Sequence, residues 1–251
     1  MNKLVIFSKK PESGKTKTRL IPNLSRDKAI ELSESLLKDT VMLINDISYI
    51  DRKVMYISPP GSLEYFRTIG QSAVKGPGKK EGKILQWQVK IQEGKNLGDR
   101  FLNAMNKELI EDKSNSENRS SIPYGNVKLI IIGSDSPAIP LKYIEEAFSI
   151  LGKTDIVLGP AEDGGFYLIG VKKTCPDIFN SVRWSASYTL SDIIANLEKS
   201  SLNYMLLPKW YDIDEIKDLV KLNNDLKVIP DSYCKNTRKI LNKLNKEQKI
   251  F

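Results

Sequence analysis

Histidine is absent from this 251-residue sequence, and its absence excludes several kinds of chemistry. Without an imidazole, no histidine general base and no Ser-His or Cys-His nucleophile pair can form. The usual zinc and iron sites also depend on histidine or on clustered cysteine. Any metal ion must therefore bind to oxygen, and Asp and Glu are the natural ligands for Mg²⁺ or Mn²⁺.

Cysteines and long apolar runs are scarce. Cys175 and Cys234 stand alone without C-x-x-C spacing, so we expect two reduced thiols and no disulfide framework. No apolar run approaches the length of a membrane span, and the N-terminal stretch MNKLVIFSKK lacks the apolar core of a signal peptide. We therefore expect a cytoplasmic protein without a membrane span.

Acidic residues are fewer than basic ones, with 31 Asp and Glu against 39 Lys and Arg and a net charge of +8. This excess suits an anionic ligand, but it is too diffuse to indicate nucleic acid, and no aromatic-rich basic motif supports one. Hydrophobic residues make up 40% of the chain, which is enough to build a core. We expect one domain over residues 1–251.

Strand-like apolar runs alternate with helical patterns, which predicts an α/β fold with a mainly parallel sheet covered on both faces. The predicted strands are 3–8, 53–58, 84–92, 127–133, 155–158, 166–171 and 204–207. Predicted helices begin at Ser25 and cover 62–69, 97–111, 140–151, 190–199, 215–226 and 232–249. An exposed loop is expected at 70–83, and a flexible insertion at about 112–126.

The stretch FSKKPESGKTKTRL, residues 7–20, contains the Gly-Lys-Thr of a P-loop. A P-loop needs a glycine where Lys9 stands and a helix directly after Lys15, yet the chain runs into Pro22. We therefore predict a phosphate-binding loop of another geometry. Its basic residues, with Glu12 the one carboxylate among them, are Lys9, Lys10, Lys15, Lys17 and Arg19. A surface loop of a basic protein is the alternative, although such loops usually mix charges.

Asp135 follows VKLIIIG, the most apolar strand and hence the expected centre of the sheet. Ligands of open α/β sheets bind outside the carboxyl ends of the strands, so Asp135 is our first candidate for chemistry. The alternative is that Asp135 caps the next helix. Pro137 and Pro140 intervene, which favours the functional interpretation.

The turn Glu162-Asp163-Gly164-Gly165 lies between two predicted strands. A hairpin turn needs nothing more than the permissive glycines. Bare backbone and two carboxylates beside the Asp135 strand end could also hold a substrate, and a carboxylate there could accept a hydroxyl proton. We favour a functional turn.

Asp212 and Asp214 are two residues apart, so both can point the same way in an extended segment. A cation shared by Asp135 and Asp214 would relieve their mutual repulsion. The alternative is a helix start with Asp214 as its cap and Glu215 in the first turn, and both interpretations can hold together.

Three further residues are weaker candidates. Trp184 is typical of a core aromatic residue, although an indole near the site could also stack on a ring. Asp99 and Arg100 in LGDR could contact a nucleobase or ribose, or simply belong to a helix N-terminus.

Taken together, these blocks resemble a known bacterial family, the arsenosugar-biosynthesis-type glycosyltransferases, also called radical-SAM/selenodomain-associated transferase 1. The resemblance spans nearly the whole chain and rests on FSKKPESGKTKTRL, QEGKNLGDRF, GSDSP, LGPAEDGGFYLIG, VRWSASYTL and DID. It implies the GT-A-like fold of nucleotide-diphospho-sugar transferases, a three-layer α/β sandwich around a mainly parallel mixed sheet. The Asp-x-Asp of many such glycosyltransferases is replaced here by Asp135-Ser136-Pro137.

The resemblance implies a transferase that acts on a nucleotide sugar, with a small acceptor and Mg²⁺ or Mn²⁺. The metal ligands would be Asp135 and Asp214, with Asp212 beside them. Asp163 is our candidate base for the acceptor hydroxyl if the reaction inverts, whereas in a retaining reaction it would only position the substrate. The remaining expected contacts are to phosphates or nucleotide by Lys9, Gly14, Lys15, Lys17, Arg19, Asp99 and Ser134, and to substrate by Glu162, Gly164, Gly165 and Trp184.

Two other functions stay open at this point. A nucleotidyltransferase would use the same site with a nucleoside triphosphate and release pyrophosphate, and the dense basic loop favours it. A nucleotide-binding protein without catalysis is the least favoured alternative, because the carboxylates are retained.

Overall fold

The computed structural model describes residues 1–74, 86–110, 127–173 and 176–248. Its seven strands are β1 (Asn2–Lys9), β2 (Arg52–Ser58), β3 (Gln88–Ile91), β4 (Lys128–Gly133), β5 (Ile156–Pro160), β6 (Phe166–Val171) and β7 (Tyr204–Leu206). They form one sheet in the order β3-β2-β1-β4-β6-β5-β7. All neighbours pair in parallel except β6, which runs antiparallel to β4 and β5. The predicted mixed, mainly parallel sheet is confirmed.

Helices cover both faces of this sheet. They are α1 (Arg26–Asn45), α2 (Leu63–Val74), α3 (Leu97–Ile110), α4 (Leu141–Ile150), α5 (Thr189–Glu198), α6 (Ile216–Asp225) and α7 (Lys235–Gln248). One core holds side chains of α1, α2 and α4 against the sheet, and a second holds α3 and α5 against the opposite face. A third cluster packs α6 and α7 on the outer side of α1. The predicted three-layer sandwich is confirmed.

Strand β1 is covered on both faces because its alternate side chains enter different cores. Leu4 and Ile6 belong to the first core, whereas Val5 and Phe7 belong to the second. The chain leaves β1 towards β2 and later returns to the other side of β1 as β4. The crevice between the carboxyl ends of β1 and β4 is thus the switch point at which α/β sheets bind ligands.

The expected loop over 70–83 is wrong at its start, because residues 70–74 complete α2. Gly70 serves close packing there: a Cβ at this position would lie 2.9 Å from Cβ of Trp87. Residues 75–83 of that loop, the start of the predicted strand 84–92 and the whole predicted insertion at 112–126 lie outside the described residues. The other predicted elements are present, with ends shifted by a few residues.

A membrane span is not found among the helices that the structure describes, since none combines the necessary length and apolar character.

A buried charge network ties β1 to α3. Lys3 and Glu108 are both fully buried, and the Lys3 ammonium donates to the backbone carbonyl of Glu108 and lies 3.7 Å from its carboxylate. The same carboxylate accepts hydrogen bonds from the Tyr56 hydroxyl at 3.1 Å and from Lys90 at 2.8 Å. Removing one partner of such a network leaves the remaining charges buried without compensation, which destabilises the fold.

We therefore predict that Glu108→Ala lowers the free energy of unfolding by about 3–5 kcal/mol in urea denaturation. Lys107→Ala is the matched control on the same helix, because Lys107 makes only a partly exposed ion pair with Glu93. That control should cost less than about 1 kcal/mol. Equal losses in the two variants would contradict the structural role of the buried network.

Candidate active site

Loops from several strands meet at the carboxyl edge of the sheet. Ser8, near the end of β1, and Ser134, just after β4, have hydroxyl oxygens 3.1 Å apart. The β5–β6 turn lies at the same edge, because β6 begins there with Phe166. The segment 210–214 returns to it through a hydrogen bond from Ile213 N–H to the Asp135 carbonyl at 3.3 Å. Four stretches that are distant in sequence are thus brought together.

Asp135 points into this edge and does not cap the following helix. The N-cap of α4 is Pro140, without a capping side-chain bond. The Asp135 carboxylate is 42% exposed, so a ligand can reach it. The interpretation of Asp135 as a helix cap is therefore wrong.

Lys17 lies between two of the predicted metal ligands. Its Nζ is 2.8 Å from Oδ2 of Asp135 and 3.0 Å from Oδ1 of Asp214. The lysine side chain is only 5% exposed, and its backbone has a left-handed φ of 48°. Sequence reasoning grouped Lys17 with the phosphate ligands, whereas here its ammonium is engaged by both carboxylates.

These contacts favour the charged forms of Lys17 and Asp214. Burial by itself lowers the pKa of Lys17, but the charges of Asp135 and Asp214 outweigh it and leave the pKa above its ordinary value. Burial likewise acts to raise the pKa of Asp214, yet Lys17 keeps it below the ordinary value. Lys17 and Asp214 therefore form a charged pair at neutral pH.

Asp212 has a different environment from Asp214. Its Oδ1 accepts a hydrogen bond from the Ser136 hydroxyl at 2.5 Å, and no ion pair joins it to Lys17 among the described residues. Removal from water raises its pKa to about 7, the hydrogen bond from Ser136 opposes this rise, and the nearby charge of Asp135 adds to it. Asp212 can therefore exchange a proton near neutral pH.

The helix start after Asp214 differs by one residue from the predicted one. Glu215 is the N-cap of α6 and forms a reciprocal capping box with Asp218. Asp214 is therefore not the cap, and its side chain is left to pair with Lys17.

Two adjoining cavities open at this edge. The basic cavity, about 450 Å³, is lined by Lys9, Lys15, Lys17 and Arg100 together with Asp135, Asp214, Ser134, Ser58 and Gln92. The aromatic cavity, about 210 Å³, is lined by Phe166 and Trp184 together with Asp163, Gly165 and Asp212. Both include Phe7, Leu97, Phe101 and Gly133, so they share a wall.

Several predicted residues lie outside both cavities. Gly14 and Arg19 line neither cavity. Their neighbour Lys15 does line the basic cavity, and its ammonium also forms an ion pair of 2.9 Å with Glu12. Asp99 accepts a hydrogen bond from the Lys95 N–H at 3.0 Å and also lies outside the two linings.

The turn after β5 is fixed internally and also faces the aromatic cavity. Oδ1 of Asp163 accepts a hydrogen bond from the Gly165 N–H at 2.9 Å, as in an ordinary turn. Asp163 nevertheless lines the cavity. Glu162 lines neither cavity, and its carboxylate accepts a hydrogen bond from the Lys221 ammonium at 2.5 Å.

Trp184 is both a core residue and part of a cavity wall. Its ring is half-buried in the second core, stacked on Phe101 at 6.1 Å and tilted against Phe179 at 5.5 Å. The sequence suggested either role, and the structure places the ring where both are possible.

Gln92 is a site residue that sequence reasoning missed. Its side-chain N–H groups donate to the backbone carbonyls of Ser8, at 3.2 Å, and Tyr56, at 2.9 Å. Both partners are acceptors, so the amide nitrogen is engaged, and the side-chain oxygen could accept a hydrogen bond from a ligand. The available signal was its position as the last residue of the predicted strand 84–92.

Asp135 and Asp214 are the residues that could hold a metal ion between them, since they already share one cation. Among the described parts of the chain, no group of three or more acidic or cysteine side chains could hold a metal by itself. Magnesium commonly binds through one or two carboxylates and takes its other ligands from water and substrate phosphates. The two carboxylates beside a basic cavity fit that mode of binding.

A family model described as an uncharacterised protein conserved in bacteria, DUF2064, matches residues 70–186, slightly less than half of the chain. No curated protein matches the chain. The crystal structure of a protein from Desulfovibrio desulfuricans G20, provisionally described as a nucleotide-diphospho-sugar transferase, superposes with a TM-score of 0.77 and 27% identity. That alignment covers 98% of this chain and 96% of the other. The fold is therefore GT-A-like.

More distant structures share the architecture. A cytidylyltransferase from Leptospira borgpetersenii superposes with a TM-score of 0.54 and 10% identity, covering 99% of this chain and 95% of the other. A 4-diphosphocytidyl-2C-methyl-D-erythritol synthase from Anaerococcus prevotii superposes with a TM-score of 0.53 and 9% identity, covering 90% of this chain and 96% of the other. At these identities the similarity shows the fold alone. The more specific resemblance to arsenosugar-type enzymes stays a prediction.

We predict that Gly164→Ala destabilises the turn between β5 and β6. Gly164 has a φ of +87°, and a Cβ there would lie 2.1 Å from the backbone oxygen of Ser187. The strained backbone alone should cost about 1–3 kcal/mol in urea denaturation. The matched control is Gly165→Ala, whose Cβ would meet only the Asp163 side chain at 3.1 Å. An equal or larger loss in the control would contradict this account of the turn.

Proposed function

We propose that this protein is a metal-dependent glycosyltransferase that moves a sugar from a nucleoside-diphosphate sugar to a small acceptor. The observation that carries the proposal is the convergence of Asp135 and Asp214 on one cation in the lining of the basic cavity. The similarity to the Desulfovibrio protein supports it. The adjoining aromatic cavity supplies space for the reacting sugar and acceptor.

The basic cavity suits the diphosphate. Lys9, Lys15 and Arg100 line it, so their charges face any anion that enters, and the arginine can bind two phosphate oxygens at once. The hydroxyl of Ser134 lies in the same lining and can donate to a phosphate oxygen.

Asp135 and Asp214 would hold Mg²⁺ or Mn²⁺, which when bound supplies Lewis-acid stabilisation of charge on the leaving diphosphate. Asp163 faces the aromatic cavity and has its Oδ2 outside the turn's hydrogen bond, so it can accept the proton of the acceptor hydroxyl. In that step the acceptor oxygen bonds to the anomeric carbon while the bond from that carbon to the diphosphate breaks. Asp212 lines the same cavity, where it can serve as a second proton acceptor.

Trp184 presents its ring to the aromatic cavity, where it can stack on the apolar face of a sugar or on an aromatic acceptor. Gly165, in the same lining, lets a substrate approach the backbone.

A nucleotidyltransferase is the second candidate, favoured by the four basic residues around the basic cavity, which would suit a triphosphate. The two activities differ in their products. Glycosyl transfer releases a nucleoside diphosphate, whereas nucleotidyl transfer releases pyrophosphate. Incubation with UDP-, GDP-, ADP- and dTDP-sugars and with the four triphosphates, each with Mn²⁺, separates them by product chromatography. Pyrophosphate release from a triphosphate, with no nucleoside diphosphate from any sugar donor, would reject our proposal.

With a donor identified, we predict that Asp135→Asn reduces turnover by at least about a thousandfold, because a neutral amide binds a divalent cation poorly. The melting temperature should stay close to that of the wild type, since the side chain is partly exposed. Asp231→Asn is the matched control, because the Asp231 side chain is 96% exposed and lines neither cavity. Wild-type turnover in Asp135→Asn would remove the assignment of this residue to the metal.

A further inference from the structure

The Lys17 ammonium occupies the position between Asp135 and Asp214 that the proposed divalent cation would need. Its Nζ lies within 3.0 Å of an oxygen of each carboxylate. A divalent cation bound to the same two oxygens would stand within a few ångströms of this ammonium. Two like charges at such a distance repel strongly where water is scarce. The ammonium and the metal therefore exclude each other from this position.

The lysine cannot leave without another partner. Its side chain is 5% exposed, so an ammonium moved off the carboxylates without an anion would be poorly hydrated. The left-handed backbone at φ 48° fixes where the side chain starts, which limits how far it can move. An anion within reach of the same side chain is therefore required.

The basic cavity supplies the place for that anion. Lys17 lines this cavity together with Lys9 and Lys15, so a diphosphate bound there would lie against the lysine side chain. When the ammonium moves from the carboxylates to the phosphate, the two carboxylates become available to the divalent cation. The same movement gives the bound diphosphate a positively charged partner.

We propose that Lys17 is an internal counter-ion that competes with the divalent cation for Asp135 and Asp214, so that metal and diphosphate bind together instead of separately. This inference rests on the proposed metal site of the transferase. By thermodynamic linkage, each ligand raises the affinity for the other by the same factor. In the metal-free site the ammonium offsets part of the carboxylate charge, so stray divalent ions are held weakly until a substrate arrives.

The test measures the affinity of Mn²⁺ for the protein in the absence of nucleotide. The electron paramagnetic resonance signal of free Mn²⁺ reports how much of the ion is bound. Lys17→Met removes the competing charge, and we expect Mn²⁺ to bind at least about tenfold more tightly than to the wild type. Lys243→Met is the matched control. It frees Glu31 from an ion pair of 2.8 Å at the surface and should leave the affinity unchanged.

Two further variants keep the test decisive if Lys17→Met does not fold. Lys17→Gln also removes the charge and should tighten Mn²⁺ binding as well. Lys17→Arg keeps the charge and should bind Mn²⁺ as weakly as the wild type. Circular dichroism checks the fold of each variant.

The outcomes distinguish this inference from the proposed function. If uncharged variants bind Mn²⁺ no more tightly than the wild type, while Asp135→Asn abolishes binding, the counter-ion role is overturned and the metal site stands. If Lys17→Met binds no Mn²⁺, or if adding Asp135→Asn to it leaves binding unchanged, both the inference and the metal assignment are overturned.

Discussion

The ion triad of Lys17, Asp135 and Asp214 is the interaction on which the site depends. It joins the loop after β1, the end of β4 and the segment before α6, which are distant in sequence. Two carboxylates left facing each other without a cation would repel, so the arrangement requires a positive charge between them. In the structure the chain supplies that charge itself, and in the proposed function a divalent ion replaces it.

The sheet order makes the triad possible. Because β1 lies between β2 and β4 and is covered on both faces, its carboxyl end opens at the switch point of the sheet. Because β6 runs antiparallel to β4, the turn before β6, which carries Asp163, lies at the same edge. The basic and aromatic cavities consequently share a wall, which would suit the charged donor and the neutral acceptor of the proposed reaction.

Much of the fold follows from local pattern, whereas the pairings within the site do not. The alternation of apolar strands and amphipathic helices predicted the three layers, and the position of Asp135 after the most apolar strand indicated the edge at which the candidate site lies. Spacing alone could not show that Lys17 faces two carboxylates, because that contact spans residues 17 to 214. Gly70 was misjudged because a glycine that permits close packing looks the same in sequence as one that begins a loop. Asp212 and Asp214 look equivalent in sequence, but in the structure Asp214 pairs with Lys17 whereas Asp212 accepts a hydrogen bond from Ser136.

The most direct test of the central claim is a crystal structure of the wild-type protein with Mn²⁺ and a nucleoside diphosphate, in which anomalous scattering locates the metal. Our account predicts an anomalous peak between Asp135 and Asp214, with the Lys17 ammonium moved onto the diphosphate. A peak elsewhere, or Lys17 still seated between the two carboxylates beside a fully bound diphosphate, would contradict it.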